Sequence, residues 1–435
     1  MKFYSTNNPT VKVDLREAVT RGLAPDNGLY MPESIPVLPK EFLGSLHKKS
    51  FREIAYVVAS SLLSGAVPDN DLKRIVEHTI AFDAPLVNLE DSIYALELFH
   101  GPTLAFKDFG ARFMSQMLGY FAKEEGQEIV ILVATSGDTG SAVANGFLDV
   151  KGTRVVVLYP SGKVSEIQEK QFTTLGKNIT ALEVDGTFDD CQRLVKQAFL
   201  DDTLRKKFFL TSANSINIAR LIPQSFYYFQ AVAQLKAIEG PLVFAVPSGN
   251  FGNLTGGLLA RKMGLPIDGF LAATNVNDVV PEYLKTNVFT PRASRQTISN
   301  AMDVGDPSNF VRMLDLFKND YKAMAAVISG YSYSDEQTRE AMRNVYADRG
   351  YVMDPHGAIG YLALQEYFSR NKSGTGIFLE TAHPAKFKEV VDDTLSFNVE
   401  IPVPLQKFMQ QEKQSVLIGR DFDEFRSYLI KTISD

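Results

Sequence analysis

Six short apolar runs alternating with helical patterns set the tightest limit on how this chain can fold. They are Ile129–Ala134, Arg154–Tyr159, Ile179–Val184, Leu242–Val246, Phe270–Ala273 and Gly376–Leu379. A run that is apolar throughout, rather than at every second position, fits a strand covered on both faces. The helical patterns between and after these runs are Ser141–Leu148, Val164–Leu175, Asp189–Leu200, Leu254–Met263 and Ala385–Leu395. Strand, loop and helix in this order predict parallel α/β architecture with helices on both sheet faces. Ligands in such folds sit beyond the carboxyl ends of the strands, so the loops after the strands are the places to search.

Composition narrows the class. The 435 residues allow about three domains or two large ones. A formal net charge of −6 argues against a nucleic-acid footprint, which needs clustered positive charge. Cys191 is the only cysteine, which excludes an internal disulfide and cysteine-rich metal centres. No apolar run reaches the roughly 20 residues needed to span a bilayer. Met1–Asn8 has no apolar segment of a secretory signal. The expectation is a soluble, cytoplasmic globular protein with no membrane or nucleic-acid partner. The first 80 or so residues, with Pro25-Asp26-Asn27-Gly28 and the amphipathic run Phe51–Ser64, carry no chemistry and read as a packing domain.

Three loops and one lysine stand out. Thr135-Ser136-Gly137-Asp138-Thr139-Gly140 leads from a strand into a helix. It reads either as an anion site at a helix N-terminus or as an ordinary N-cap formed by Ser136, Asp138 or Thr139. Pro247-Ser248-Gly249-Asn250-Phe251-Gly252-Asn253 also enters a helix. There Gly249 and Gly252 are expected to supply positive φ and close backbone approach, as in a phosphate cradle. It is neither a dinucleotide fingerprint nor a P-loop. Glu380-Thr381-Ala382-His383-Pro384-Ala385-Lys386-Phe387 offers a hydroxyl and an imidazole, or simply a strand end and a turn. Lys107 lies among Leu104, Ala105, Phe106 and Phe109. Burial there would lower its pKa and leave the neutral amine that Schiff-base chemistry needs; the alternative is a lysine snorkelling from an amphipathic helix. The histidines, at 47, 78, 100, 356 and 383, are not spaced as metal ligands, and H-E-x-x-H and G-x-S-x-G are absent, so no metal site is expected.

In order along the chain, Phe99–Gly110, Ala134–Gly140, Asn214–Arg220, Ser248–Asn253 and Thr381–Phe387 closely resemble the threonine synthase family. That family belongs to the tryptophan-synthase-β (fold type II) group of pyridoxal-phosphate enzymes. The resemblance runs nearly end to end and includes Leu23–Tyr30. It implies parallel and mixed sheets flanked by helices in a large and a small domain, with an additional N-terminal domain. The expected division is 1–90 (N-terminal domain), 91–125 with 221–400 (large domain), 126–220 (a small lobe that closes over substrate) and 401–435 (a C-terminal helical segment).

The resemblance also implies roles. Lys107 would carry pyridoxal 5'-phosphate on its amine. Gly249, Asn250, Phe251, Gly252 and Asn253 would bind the cofactor phosphate, and Thr381 would meet the pyridine nitrogen with a neutral hydroxyl. Asp138 would stand beside the cofactor's 3′-oxygen, where cysteine synthases carry Asn. Thr135, Ser136, Gly137, Asp138 and Thr139 would grip the substrate α-carboxylate. Lys163, Asn214, Ser215, Asn217 and Arg220 would form a second anion site, since the implied substrate is O-phospho-L-homoserine. The implied reaction yields L-threonine and phosphate, in a monomer or small homo-oligomer. A related phospholyase without hydration and a non-catalytic binding homologue are the alternatives.

Overall fold

The strand Leu242–Pro247, buried at every position, lies inside a six-stranded sheet. This computed structural model describes residues 1–63, 65–125, 128–371 and 373–433. The sheet order is Ile328–Ser332, Gly269–Thr274, Leu242–Pro247, Thr375–Glu380, Ile93–Glu97, Leu86–Glu90. All neighbours are parallel except the last pair, an antiparallel hairpin. A second sheet of five strands is parallel throughout: Val416–Ile418, Ile179–Val184, Thr153–Pro160, Ile129–Ala134, Phe209–Ser212. Ile129–Ala134 is also buried at all its positions. Unbroken apolar character therefore meant helices on both faces, as the sequence predicts.

The N-terminal residues form a three-stranded antiparallel sheet in the order Asn8–Val13, Phe3–Ser5, Tyr30–Pro32. The helix Phe51–Leu63 follows and buries Ile54, Ala55, Val58, Ala59 and Leu62, one stripe at helical spacing. Each large aliphatic side chain enclosed this way contributes about 1.5–3 kcal/mol.

Three details differ from expectation. Leu86–Glu90 falls in the range assigned to the N-terminal domain, yet it pairs with Ile93–Glu97 in the six-stranded sheet. A two-residue turn at Asp91-Ser92 suffices for that hairpin. The 401–435 segment is not wholly helical: Val403–Met409 and Phe422–Ile433 flank the strand Val416–Ile418, which extends the five-stranded sheet. Three residues are too few to read as a strand from pattern alone. Ala385–Leu395 begins as a 3-10 turn over Pro384–Phe387, and the α-helix proper is Lys388–Leu395.

The amino end of the helix Lys107–Glu125 meets the segments that follow Ile129–Ala134 and Thr375–Glu380, one strand from each large sheet. That helix packs along Asp138–Phe147, which follows Ile129–Ala134. The residues just before it are bonded to the segment after Thr375–Glu380.

Candidate active site

The position of Lys107 follows from the strap that precedes it. Phe106 N–H donates to Thr381 O at 2.8 Å, His383 N–H donates to Leu104 O at 3.0 Å, and Ala105 bridges Ala382. Leu104 adopts φ 56° within this strap, uncommon for a residue with a side chain. Asp108 accepts from Thr103 N–H at 2.9 Å and from its hydroxyl at 2.7 Å, which closes the turn. Lys107 therefore emerges beside Thr381, at the carboxyl end of a central strand.

Its ammonium lies 3.5 Å from Asp138 Oδ2, and its side chain is 16% exposed. Asp138 Oδ1 accepts from Lys386 Nζ and from Gln168 Nε2, both at 2.8 Å. Lys386 is fully enclosed and also donates to Thr103 O at 2.7 Å. Burial lowers the Lys107 pKa; Asp138 opposes that, while Lys386 and Arg220 push it lower still. For Asp138, burial alone would raise the pKa. The charges of Lys386 and then Lys107, with the bonds from Lys386 and Gln168, outweigh burial and hold it below the usual carboxylate range. The result is an ionised carboxylate between two lysines, with the Lys107 amine held below the usual lysine range.

The Asp138 loop separates its two possible roles. Gly137 occupies the cap position with φ 142°, and no side chain caps the helix there. Thr135 Oγ1 instead accepts from Gly137 N–H at 3.0 Å and Gly140 N–H at 2.8 Å. Ser136 and Thr139 stay half-buried. The Asp138 carboxylate is turned to the lysines and is not a cap.

In the second loop the positive φ falls on Phe251, at 59°, and on neither glycine. This corrects the expected reason for Gly249. Ala301 O lies 2.7 Å from where a Cβ on Gly249 would sit, so glycine is required for close approach. Asn253 braces the loop by donating to Pro247 O at 2.6 Å and accepting from Ser248 Oγ at 3.2 Å. Asn250 Oδ1 accepts from Ser308 N–H at 3.2 Å. The helix Gly252–Lys262 starts here, and its first N–H groups have no partner within the helix.

Asn214 Nδ2 donates to Ala134 O at 3.0 Å, which places Ser215 near the first loop. Asn217 is buried; it donates to Val19 O at 2.8 Å and caps Ala219 N–H at 3.0 Å, so its amide is committed to the scaffold. Arg220 is buried and donates from Nη1 to Ala213 O at 2.5 Å, but its Nε has no partner. Burial pushes its pKa down to about 10. Lys163 is different: it is exposed in the turn after Thr153–Pro160, with its backbone N–H bonded to Pro160 O at 3.3 Å. His383 accepts from Ala385 N–H at 3.1 Å, so its imidazole serves as a cap, and burial pushes its pKa down to about 4.

Sequence reasoning gave no role to Lys386 or Gln168. The signal for Lys386 was present: Pro384, Ala385 and Phe387 surround it with the apolar setting that singled out Lys107. Gln168 carried no local signal, because its partner is distant in the chain. Among the described residues no cluster of three or more His, Cys, Asp or Glu could hold a metal ion.

These residues fit pyridoxal phosphate. The low-pKa amine can carry its aldehyde carbon. The helix N-terminus at Gly252, with the Asn309 and Gln224 amide nitrogens near it, suits its phosphate, and the unpaired Arg220 Nε suits a further anion.

Comparison with known proteins agrees. The family "Pyridoxal-phosphate dependent enzyme" matches residues 79–379. "Threonine synthase N terminus" matches 2–80, and "Threonine synthase, C-terminal" matches 357–429. The threonine synthase of Haemophilus influenzae is 46% identical, with 99% of this chain and 100% of that protein covered. The Escherichia coli threonine synthase structure superposes with a TM-score of 0.93 at 43% identity, covering 99% of this chain and 100% of that one. The PLP-bound threonine synthase of Brucella melitensis gives 0.91 at 33% identity, over 99% and 98% of the two chains. On the full-length likeness and the site geometry together, the chain belongs to the threonine synthase family of pyridoxal-phosphate dependent lyases.

Proposed function

We propose that the loops around Lys107 act together on O-phospho-L-homoserine and water to give L-threonine and phosphate. What supports this reading is one lysine, Lys107, set between an ionised carboxylate and a strand end, together with two candidate anion sites, the start of the Gly252–Lys262 helix and the unpartnered Arg220 Nε.

In this reading Lys107 holds the cofactor through Nζ, the Gly249–Asn253 loop binds its phosphate, and Thr381 meets its ring nitrogen with a neutral hydroxyl. When bound, pyridoxal phosphate supplies the electron sink that makes the substrate's Cα–H and Cβ–H acidic. Lys107, as a free amine at the site, would take the proton from Cα and then from Cβ. Phosphate would leave from Cγ with its bonding electron pair, the proton taken from Cβ would be returned to Cγ, the hydroxyl of water would add at Cβ with its other proton going to the released phosphate, and Cα would regain its proton. Thr135, Ser136, Gly137 and Thr139 hold the α-carboxylate by hydroxyl and backbone groups. Asp138, fixed by Lys386 and Gln168, stays ionised and sets the field at Lys107. Arg220, Asn214 and Ser215 receive the substrate phosphate, with Asn217 shaping their loop. Lys163 joins them only if the 126–220 lobe closes; that closure, which excludes water until phosphate has left, is part of the proposal.

The proposed division is an N-terminal domain ending before residue 86, a large domain on the six-stranded sheet and a small lobe on the five-stranded sheet. The partner is a small molecule. We place the enzyme in the cytoplasm as a monomer or small homo-oligomer; among the described residues no helix is long and apolar enough to cross a membrane.

The test is a visible absorbance spectrum before and after borohydride, with peptide mapping, followed by product identification. A band bleached by borohydride, a pyridoxyl group on Lys107 and threonine as product are expected. Label on another lysine would refute the assignment of Lys107. An elimination product without added water would make the chain a phospholyase.

A further inference from the structure

Among the described residues Arg312 is the largest fully buried side chain, and no carboxylate lies within ion-pair distance of it. Its guanidinium donates to four acceptor groups on three segments. Nη2 and Nε reach Tyr30 O at 3.0 and 3.3 Å, and Nη2 also reaches Ile216 O at 2.7 Å. Nη1 reaches Ser215 O at 3.3 Å and Asn309 Oδ1 at 2.7 Å. One side chain thus joins the N-terminal sheet, the Asn214–Arg220 loop and the segment Pro307–Asn309. That last segment lies on the phosphate loop, because Asn309 N–H donates to Asn250 O at 3.2 Å.

This contact decides how the Asn309 amide is turned. Arginine has donors only, so the atom facing Arg312 must be the oxygen. The nitrogen then faces the other way. Asn309 is fully buried, and its Nδ2 has no hydrogen-bond partner. It lies 3.4 Å from where a Cβ on Gly252 would sit, with Gln224 Nε2 at 3.5 Å and Ser215 Cβ at 3.8 Å from the same point. Gly252 opens the helix Gly252–Lys262. An unpaired amide donor is therefore aimed at a helix N-terminus, between the two proposed anion regions. Leaving such a donor buried without an acceptor is unfavourable, a cost that a bound anion would offset.

We infer that Asn309 is a phosphate-binding residue at the amino end of the Gly252–Lys262 helix, and that Arg312 is the positioning residue that aims it. This rests on the reading of the Gly249–Asn253 loop as a phosphate site. The ligand is a phosphate dianion, carried either by the cofactor or by the substrate. Arg312 also turns the carbonyl oxygens of Ser215 and Ile216 toward itself and fixes their loop against Asn309. Burial, opposed by Asp315, pushes the Arg312 pKa down to about 9, so it remains a cation at neutral pH. Its charge adds to the field that attracts the anion. The N-terminal domain contributes through Tyr30 O, which holds Arg312 in place.

The experiment compares wild type with Asn309→Ala, Asn309→Asp and Arg312→Lys. Apoprotein is titrated with pyridoxal phosphate and, separately, with pyridoxal. At saturating cofactor, inhibition by inorganic phosphate and KM for O-phospho-L-homoserine are measured. If the cofactor phosphate is the ligand, Asn309→Ala weakens pyridoxal phosphate roughly tenfold or more and leaves pyridoxal unchanged. If the substrate phosphate is the ligand, KM and the phosphate inhibition constant rise together by a similar factor, with cofactor affinity unchanged. In either case Asn309→Asp is worse than Asn309→Ala, because it sets a carboxylate against the anion, and Arg312→Lys weakens the same arm. Asn309→Ser, too short to reach, gives the same loss in a milder variant. Variants that match wild type in both arms would overturn the inference, as would an Asp variant no worse than Ala. A wild type that binds pyridoxal as tightly as its phosphate, and ignores inorganic phosphate, would overturn the phosphate-loop reading and this inference with it.

Discussion

Asp138 and Lys386 form an ion pair at 2.8 Å that is closed to solvent, and Lys107 faces the other carboxylate oxygen at 3.5 Å. The two lysines thus share one carboxylate, and a change at Lys386 is felt at Lys107. Lys386→Met removes a neighbouring positive charge that depresses the Lys107 pKa. The Lys107 pKa therefore rises, and the free amine appears only at higher pH. The rate at which apoprotein captures pyridoxal phosphate, followed by absorbance across pH, should have its alkaline-rising limb displaced upward. An unmoved limb would mean that the two lysines are not coupled through Asp138.

Gly110 stands one helical turn beyond Lys107. A Cβ there would meet Arg220 Nε at 2.8 Å and Arg220 O at 2.9 Å. Gly110→Ala should push Arg220 out of place at a cost of about 1–3 kcal/mol in stability. KM for O-phospho-L-homoserine is expected to rise severalfold or more, while cofactor affinity holds. Urea unfolding and steady-state kinetics on the same preparation check both parts.

Arg220→Ala removes a buried guanidinium with an unpaired Nε. A charged hydrogen bond to phosphate contributes about 1.5–3 kcal/mol, so KM should rise about tenfold or more. Arg220→Lys should fall between wild type and Ala, because an ammonium keeps the charge but loses the planar fork. An unchanged KM in the Ala variant would remove Arg220 from the substrate site.

His383 has its pKa pushed down to about 4 from an ordinary value of 6.5, chiefly by burial and then by His100. The unfolded chain therefore binds this proton first as pH falls. Stability contributed by the neutral ring is fully present above 6.5 and is lost as pH drops toward about 4. His383→Asn keeps a cap for Ala385 N–H without the titrating ring. Its melting temperature should decline less than that of wild type between pH 7 and pH 4.5. Parallel declines would show that another group sets the acid limit.

Much of this was legible in the sequence because the constraints are local. Continuous apolar runs gave the strands, and Leu104, Ala105, Phe106 and Phe109 around Lys107 announced a lysine out of water. What was not legible depends on partners far apart in the chain. Nothing near Asn217 says that its amide will bond Val19, and nothing near Gly249 says that Ala301 O will press against it. Arg312 shows this most plainly. In Phe310-Val311-Arg312-Met313-Leu314 it reads as a surface charge on a short helix, yet its acceptors come from residues 30, 215, 216 and 309.

The strand Val416–Ile418 lies at the edge of the five-stranded sheet, against Ile179–Val184. Its approach is guided by Lys413, which pairs with Glu169 and Glu183 at 2.7 Å each. On the ribosome, the four neighbouring strands emerge long before this one. The edge of Ile179–Val184 therefore waits with open backbone groups through most of synthesis, a template for mispairing with other nascent chains. A messenger cut short before codon 416 would release a protein with every proposed active-site residue present and that sheet edge uncapped.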